Sequence, residues 1–317
     1  MFELYKKRDL SENFSDTATF FKTFGKHYFK NYFVINGIFL MVLVVLIYFI
    51  SKVYMELIIS SAAMKYNPNS MMDYFNNNIP LVIGSFTITF LLIVILSMLN
   101  ISFPVIYLKL LEKNGENNFS IQEIKRDLIA NIGKMIVFLL GSLFIILPLA
   151  MVVFSLLFLL CFILIGIPLM FIVGSAFLSW ITLSYYEFLH KKLGYLKALS
   201  NGFRMIKQQF WTIVSTTFLM MMLVQIIQGF ITVIPYIISM IWMFTSTQNL
   251  QEANLQTDTF STMGIIIAVI MVFSTVISYI FNNFILVNQG LIYYSLQEEK
   301  ENNSTKSLID QIGADIE

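Results

Sequence analysis

Charged residues are scarce in this chain. Only 12% of the 317 residues are Asp, Glu, Lys or Arg, whereas soluble domains average about 25%. The stretch 135–186 contains none of them, and no histidine either. Because one bilayer crossing takes about 20 apolar residues, this stretch has the length of two spans and a tight turn. The missing charge therefore argues against a soluble protein and indicates an integral membrane protein.

Cysteine and histidine, which supply disulfides and many metal ligands, are almost missing as well. The single cysteine, Cys161, excludes an intramolecular disulfide and a cysteine-based metal cluster. The two histidines, His27 and His190, lie far apart in the sequence, and no His-x-x-x-His spacing occurs. No glycine-rich phosphate loop occurs either. We therefore predict no enzymatic activity, no cofactor and no metal.

One acid–base arrangement is kept as an alternative. Glu187 precedes His190 by three residues on a predicted helix, so the two side chains can touch. The alternative is a membrane enzyme that uses this pair.

Six apolar runs have the length of membrane spans. They lie at about 33–57, 80–106, 135–157, 160–186, 211–245 and 263–294. The sequence predicts an all-α polytopic membrane protein, with residues 1–297 as one six-span domain. The acidic segment 298–317 is predicted to be a flexible tail.

The basic residues are distributed unevenly between the two sides of these spans. Eighteen of the 20 Lys and Arg residues lie in the N-terminal segment, the second and fourth loops and the tail. By the positive-inside rule, both termini and these loops are predicted to be cytoplasmic.

A basic amphipathic segment precedes each pair of spans, at 16–33, 120–134 and 196–211. In the third segment, apolar residues at helical spacing form one face. They are Leu196, Leu199, Phe203, Ile206 and Phe210. Such a helix is predicted to lie in the membrane interface with its cations near anionic headgroups.

These segments have two possible roles, which the sequence does not separate. They can serve only insertion and topology, or they can bind lipid or a partner. The residues predicted to make such contacts are Lys22, Lys26, Lys125, Arg126, Lys197, Arg204, Lys207 and Trp211.

The three segments indicate an internal repeat of one interfacial helix followed by two spans, at about 11–106, 107–186 and 187–297. A shift of 177 residues places Gly25 on Gly202, and Lys30 on Lys207. The middle copy begins with the capping box Ser120–Glu123.

Neutral polar residues occur inside the last two spans. Gln225, Gln228, Asn282 and Asn283 form a candidate polar face. They can bond helices together or line a cavity that holds a lipid headgroup or a small solute. In the uncharged pair of spans, Pro148, Gly166 and Pro168 can break helices.

The stretch 198–204, ALSNGFR, followed by Phe210-Trp211 and preceded by Glu187, resembles a motif of the family named for the membrane domain of glycerophosphoryl diester phosphodiesterases. Lys207-Gln208-Gln209 stands where that motif has a glycine. The segment 8–26 is similar to the start of that family. The resemblance implies a bacterial cytoplasmic-membrane protein without the soluble phosphodiesterase domain, and a role as a subunit of a complex.

The sequence thus predicts a non-enzymatic subunit or organiser of a membrane complex. Its predicted partners are membrane lipids and other membrane proteins or a cytoplasmic protein, and no nucleic acid. The alternative is a transporter or permease for lipid-like or neutral small solutes.

Overall fold

The computed structural model describes residues 2–63, 70–115, 118–191, 193–247 and 253–301. All the regular secondary structure in these residues is helical. The α-helices are α1 (Leu10–Ala63), α2 (Ser70–Asn114), α3 (Ile121–Gly141), α4 (Leu147–Cys161), α5 (Gly166–His190), α6 (Tyr195–Gln208), α7 (Phe210–Thr247) and α8 (Ala253–Glu301). A π-helical turn, Ser142–Ile146, joins α3 to α4.

Within the described residues, six helical stretches are long and apolar enough to cross a membrane. They are Leu10–Ser51, Asn76–Asn114, Ile121–Cys161, Gly166–His190, Phe210–Ile238 and Ala268–Lys300. The protein is therefore an all-helical polytopic membrane protein, as the sequence predicts.

The predicted interfacial segments differ in how they join their spans. Residues 16–33 lie within α1, and residues 121–134 form the first part of α3, so both segments continue into their spans without a break. Only the third segment is a separate helix, because Gln209 leaves the helical conformation (φ −134°, ψ 50°). The threefold repeat stays a prediction.

The described residues form two compact units. The first comprises Met1–Ile35, Met98–Val224 and Asn282–Glu317, and the second comprises Asn36–Ser97 and Gln225–Phe281. The ranges of the first unit contain all eighteen Lys and Arg residues of the predicted cytoplasmic segments.

Tyrosines fill much of the core of the first unit. Those that are less than 2% exposed are Tyr28, Tyr32, Tyr107, Tyr186, Tyr293 and Tyr294. The ring of Tyr28 packs edge-on against Phe103 and Tyr107, with centroid distances of 4.9 and 4.8 Å. Such edge-to-face pairs are favoured by the quadrupoles of the rings.

The apolar faces of the basic segments in α1 and α6 differ in how far they pack against protein. Phe20, Phe24 and Tyr28 of α1 are fully buried, so this face is not free to lie on lipid. In α6, Leu199 and Ile206 are buried, whereas Leu196 and Phe203 are exposed. The predicted α6 stripe is therefore divided between a protein contact and an exposed surface.

A tight apolar turn, residues 162–165, joins α4 to α5. The N–H groups of Phe162, Ile163 and Leu164 bond to carbonyls three residues earlier, at 2.9–3.3 Å. A Cβ atom on Gly166 would lie 2.6 Å from the carbonyl carbon of Leu160, so only glycine fits there. The helix break predicted near Gly166 is thus located just before it.

Helix α8 extends beyond the predicted end of the six-span domain. It continues to Glu301, and Gln297 and Glu298 are both 3% exposed. The predicted tail boundary at residue 298 therefore falls inside a helix, and residues 302–317 lie outside the described ones.

Candidate functional site

Glu187 forms a buried polar hub in the first unit. It is 2% exposed, near the C-terminal end of α5. Its Oε2 accepts a hydrogen bond from Nδ2 of Asn201 at 2.9 Å. Its Oε1 accepts bonds from Nε2 of Gln297 at 3.0 Å and from the Tyr293 hydroxyl at 3.2 Å. One carboxylate therefore joins α5, α6 and α8, and its lone pairs are largely occupied.

His190 faces a different carboxylate. Its Nε2 lies 3.5 Å from Oε2 of Glu112, and the Tyr294 hydroxyl donates to the same oxygen at 3.0 Å. The Tyr5 hydroxyl donates to the other oxygen of Glu112 at 2.5 Å. Among the described side chains, no hydrogen bond joins Glu187 to His190, because each has its own partners. The acid–base pair suggested by the sequence is therefore not formed in this structure.

No group of three or more potential metal ligands occurs within the described part of the chain.

Asn283 belongs to a buried network between α1, α2 and α8. The Tyr28 hydroxyl donates to Oδ1 of Asn283 at 2.8 Å, and the Tyr32 hydroxyl donates to Oδ1 of Asn100 at 2.8 Å. Nδ2 of Asn283 lies 3.4 Å from the same Asn100 oxygen. All four side chains are at most 2% exposed. The amide of Asn283 thus has partners on two other helices.

The remaining residues of the predicted polar face lie in less enclosed places. Gln225 is exposed, and Gln228 and Asn282 are half-buried. Gln225 and Gln228 belong to the second unit, whereas Asn282 and Asn283 belong to the first.

A second polar cluster joins α5, α7 and α8. Nε2 of Gln289 donates to the Thr217 hydroxyl at 2.7 Å, and Thr182 donates to Oε1 of Gln289 at 3.1 Å. The hydroxyls of Ser179 and Thr217 lie 2.7 Å apart. Hydrogen bonds of this kind hold membrane helices together. In the sequence, this cluster is indicated by residues with hydroxyl and amide side chains inside apolar runs.

Arg8 has a structural role that the sequence did not reveal. Its guanidinium is inaccessible to solvent and bonds to Asp16 at 2.8 Å and to the carbonyl of Leu4 at 2.8 Å. Its backbone N–H bonds to the Ser295 hydroxyl at 2.9 Å. Burial lowers the pKa of Arg8, and Asp16 opposes this shift. Arg8 therefore fastens the N-terminal segment to α8.

The predicted lipid or partner contacts are all at the surface. The seven cations Lys22, Lys26, Lys125, Arg126, Lys197, Arg204 and Lys207 are exposed, and so is Trp211. None of the seven cations lies within 4 Å of a carboxylate oxygen among the described residues. Two have other contacts, since Arg204 bonds to Asn201 at 3.3 Å and Nζ of Lys207 lies 4.8 Å from the Phe203 ring centroid.

The first unit also has an open cleft of about 560 Å³. It lies between the segment that leads into α1, the junction of α6 and α7, and the end of α8. Residues of both charge signs line it, among them Lys7, Glu12 and Glu299.

Comparison of the chain with family models, with curated proteins and with solved structures finds no match. The residues of the resembling motif nevertheless contact one another here. Glu187 bonds to Asn201, and Gly202 packs against Ser184. The motif therefore corresponds to the joint between α5 and α6.

Proposed function

We propose that this protein is a non-enzymatic subunit or organiser of a membrane complex, and that its basic helices bind anionic lipid headgroups. The observation that carries the proposal is a contrast within the first unit. The carboxylate of Glu187 and the amide of Asn283 have hydrogen-bond partners within the protein, whereas the seven cations predicted to contact lipid or a partner are exposed. These cations are therefore available to an external anionic ligand.

Electrostatics favour an anionic membrane surface as that ligand. Each Lys or Arg close to such a surface contributes roughly 1 kcal/mol, so several on one surface make a substantial attraction. Trp211 supports the same location, because it is exposed and indole favours the depth of the headgroups.

The resemblance to the membrane domain of glycerophosphoryl diester phosphodiesterases supports the organiser role. Its motif residues Glu187, Asn201 and Gly202 lie at the joint between α5 and α6, which supports a structural role for the motif. The permease alternative gains no support from Asn283, whose amide is already bonded to Tyr28.

The proposal includes an orientation. Both termini and the first unit's basic ends face the cytoplasm of a bacterial cell, and the protein lies in the cytoplasmic membrane. The one-sided distribution of Lys and Arg supports this.

The test is purification of the tagged protein in mild detergent, followed by protein and lipid mass spectrometry of the same eluate. The variant carries Lys197→Gln and Lys207→Gln, and the matched control carries Lys113→Gln and Lys300→Gln, which removes two equally exposed charges elsewhere. We expect the wild type and the control to retain anionic lipid and a partner protein, and the variant to lose anionic lipid. A wild-type chain that purifies alone, without anionic lipid, would contradict the proposal.

A further inference from the structure

Three chain segments of the first unit meet around the cleft. Lys7 and Asp9 come from the segment before α1 and Glu12 from its first turn. Gln209 comes from the junction of α6 and α7, and Glu299 from the end of α8. The volume of about 560 Å³ is within the range of about 300–1,000 Å³ that is usual for small-molecule sites.

The carboxylates of the cleft are held in place by the protein. Asp9 Oδ1 accepts a bond from the Glu12 N–H at 2.7 Å, and Glu12 Oε2 accepts one from the Asp9 N–H at 3.0 Å. This reciprocal cap is the usual start of a helix. Nε2 of Gln209 donates to Oε2 of Glu299. The acidic side of the cleft therefore has a defined geometry.

The charges of the lining residues suit a ligand that carries both signs. Asp9, Glu12 and Glu299 are acidic, and Lys7 and Arg8 are basic. Arg8 is directed inward, where it bonds to Asp16. Lys6, which is outside the lining, also pairs with Glu12 at 3.1 Å. When it is counted, three carboxylates stand against Lys6 and Lys7, and this balance opposes a purely anionic ligand and favours an ammonium group.

The same cleft has a place for a phosphate. Lys7 is exposed, and α7 begins at Phe210, with its first helical bond from the Ile213 N–H to the Gln209 carbonyl. The preceding N–H groups have no acceptor within the helix. A helix N-terminus and a lysine together attract an anion.

The predicted spans place the cleft near headgroup depth. The fifth predicted span begins at residue 211 and the sixth ends at 294, so Glu299 is about 7.5 Å further along α8. The headgroup layer is about 5–7.5 Å thick on each side of the hydrocarbon, so Glu299 lies at its outer limit. Phe210 and Trp211, both exposed, also line the cleft and offer apolar contact to an acyl chain.

We propose that the cleft binds the phosphoethanolamine headgroup of a zwitterionic phospholipid. The ammonium lies among the carboxylates of Asp9, Glu12 and Glu299, and the phosphate lies at Lys7 and the start of α7. Ethanolamine fits better than choline, because carboxylates accept hydrogen bonds from a primary ammonium and choline has none to donate. This site differs from the basic surfaces in its charged residues and in its lipid, and it shares Trp211 with them.

The test is native mass spectrometry of the full-length protein, with equal concentrations of phosphatidylethanolamine, phosphatidylcholine and phosphatidylglycerol. We expect phosphatidylethanolamine to be retained about tenfold better than phosphatidylcholine, in line with one charge-assisted hydrogen bond. Glu299→Gln and Glu12→Gln should each reduce this ratio several-fold; glutamine can still cap α1 in the second variant. Lys7→Gln should weaken the binding of both phosphatidylethanolamine and phosphatidylcholine and leave the ratio of their retention unchanged. The control Glu3→Gln, outside the cleft lining, should change neither.

Three results would overturn the proposal. They are equal retention of the ethanolamine and choline lipids, preference for phosphatidylglycerol, and full selectivity in both glutamine variants when their melting temperatures match the wild type. Soluble phosphoethanolamine should compete poorly, because it lacks the acyl chains that Phe210 and Trp211 contact. Complete competition at equal concentration would overturn the assignment to a lipid.

Discussion

Gly202 of α6 packs directly on the backbone of Ser184 in α5. A Cβ atom at Gly202 would lie 2.8 Å from the amide nitrogen and 3.0 Å from the Cα of Ser184. The indole N–H of Trp180 bonds to the Leu199 carbonyl at 2.9 Å across the same joint. The small residue in the ALSNGFR motif therefore has a physical reason, which is the close approach of two helices.

Gly202→Ala should destabilise the protein by about 1–3 kcal/mol, because backbone atoms of α5 cannot move aside without repacking. Gly25→Ala is the matched control, since Gly25 is also a buried helical glycine and its Cβ would meet only Phe21 at an ordinary 3.8 Å. That control should be neutral or more stable by up to about 1 kcal/mol, the helix propensity gain of alanine. Thermal unfolding of the purified variants measures both. Equal melting temperatures for the two would show that the α5–α6 contact is not tight.

The second prediction concerns the contribution of the buried Asn283 amide to stability. Asn283→Leu should cost about 1–3 kcal/mol, because the Tyr28 hydroxyl loses its acceptor inside the core. Gln225→Leu should change stability by less than about 0.5 kcal/mol, since Gln225 is exposed.

A double-variant cycle separates this network from a simple packing defect. Tyr28→Phe combined with Asn283→Leu removes donor and acceptor together, so the loss should be smaller than the sum of the two single losses. Additive losses, measured by thermal unfolding, would show that the two side chains are not coupled.

The sequence predicts the membrane-spanning architecture well, because a run of apolar residues needs no information about distant contacts. It does not predict the pairings of Glu187 and His190. They are three residues apart on one helix, but Glu187 bonds to Asn201 and Gln297 from α6 and α8, whereas His190 faces Glu112 of α2. Glu112 is over seventy residues away from His190 along the chain, and the spacing of residues in the sequence does not indicate this contact.

Arg8 illustrates the same limit for a single residue. In the sequence it is one of several N-terminal cations, indistinguishable from Lys6 and Lys7. In the structure it alone of the three is buried, with Asp16 as its ion-pair partner. The choice depends on how the N-terminal segment lies on α8, which is a tertiary property.

Glu187 provides the third test, because it holds three helices through one carboxylate. Glu187→Ala should destabilise the protein by about 3 kcal/mol, since the donors of Asn201, Tyr293 and Gln297 lose their shared acceptor. Glu187→Gln should cost less, because an amide oxygen still accepts some of these bonds. Glu3→Ala, an exposed carboxylate, is the control. A Glu187→Ala protein with wild-type melting temperature would refute the hub.

The last prediction concerns the location of the turn between α4 and α5. Its backbone N–H groups are hydrogen-bonded within the chain, as is required where no water is present. The N–H groups of Phe162, Ile163 and Leu164 have internal acceptors, and their side chains are 79%, 60% and 73% exposed. No charged residue occurs within twenty residues of the turn on either side. Exposed apolar side chains on a hydrogen-bonded backbone are stable in hydrocarbon.

We therefore expect the turn to stay within the membrane rather than project into water. In a Cys161→Ala background, Leu164→Cys should resist a membrane-impermeant maleimide in intact membranes and react after detergent solubilisation. Asn77→Cys, at an exposed position near the start of the second span stretch, should react in intact membranes with reagent on the far side. Equal labelling rates at the two cysteines would place the turn in water. Such a result would leave five exposed apolar side chains at residues 158 and 162–165 without lipid to cover them, and so would require a protein partner on the far side.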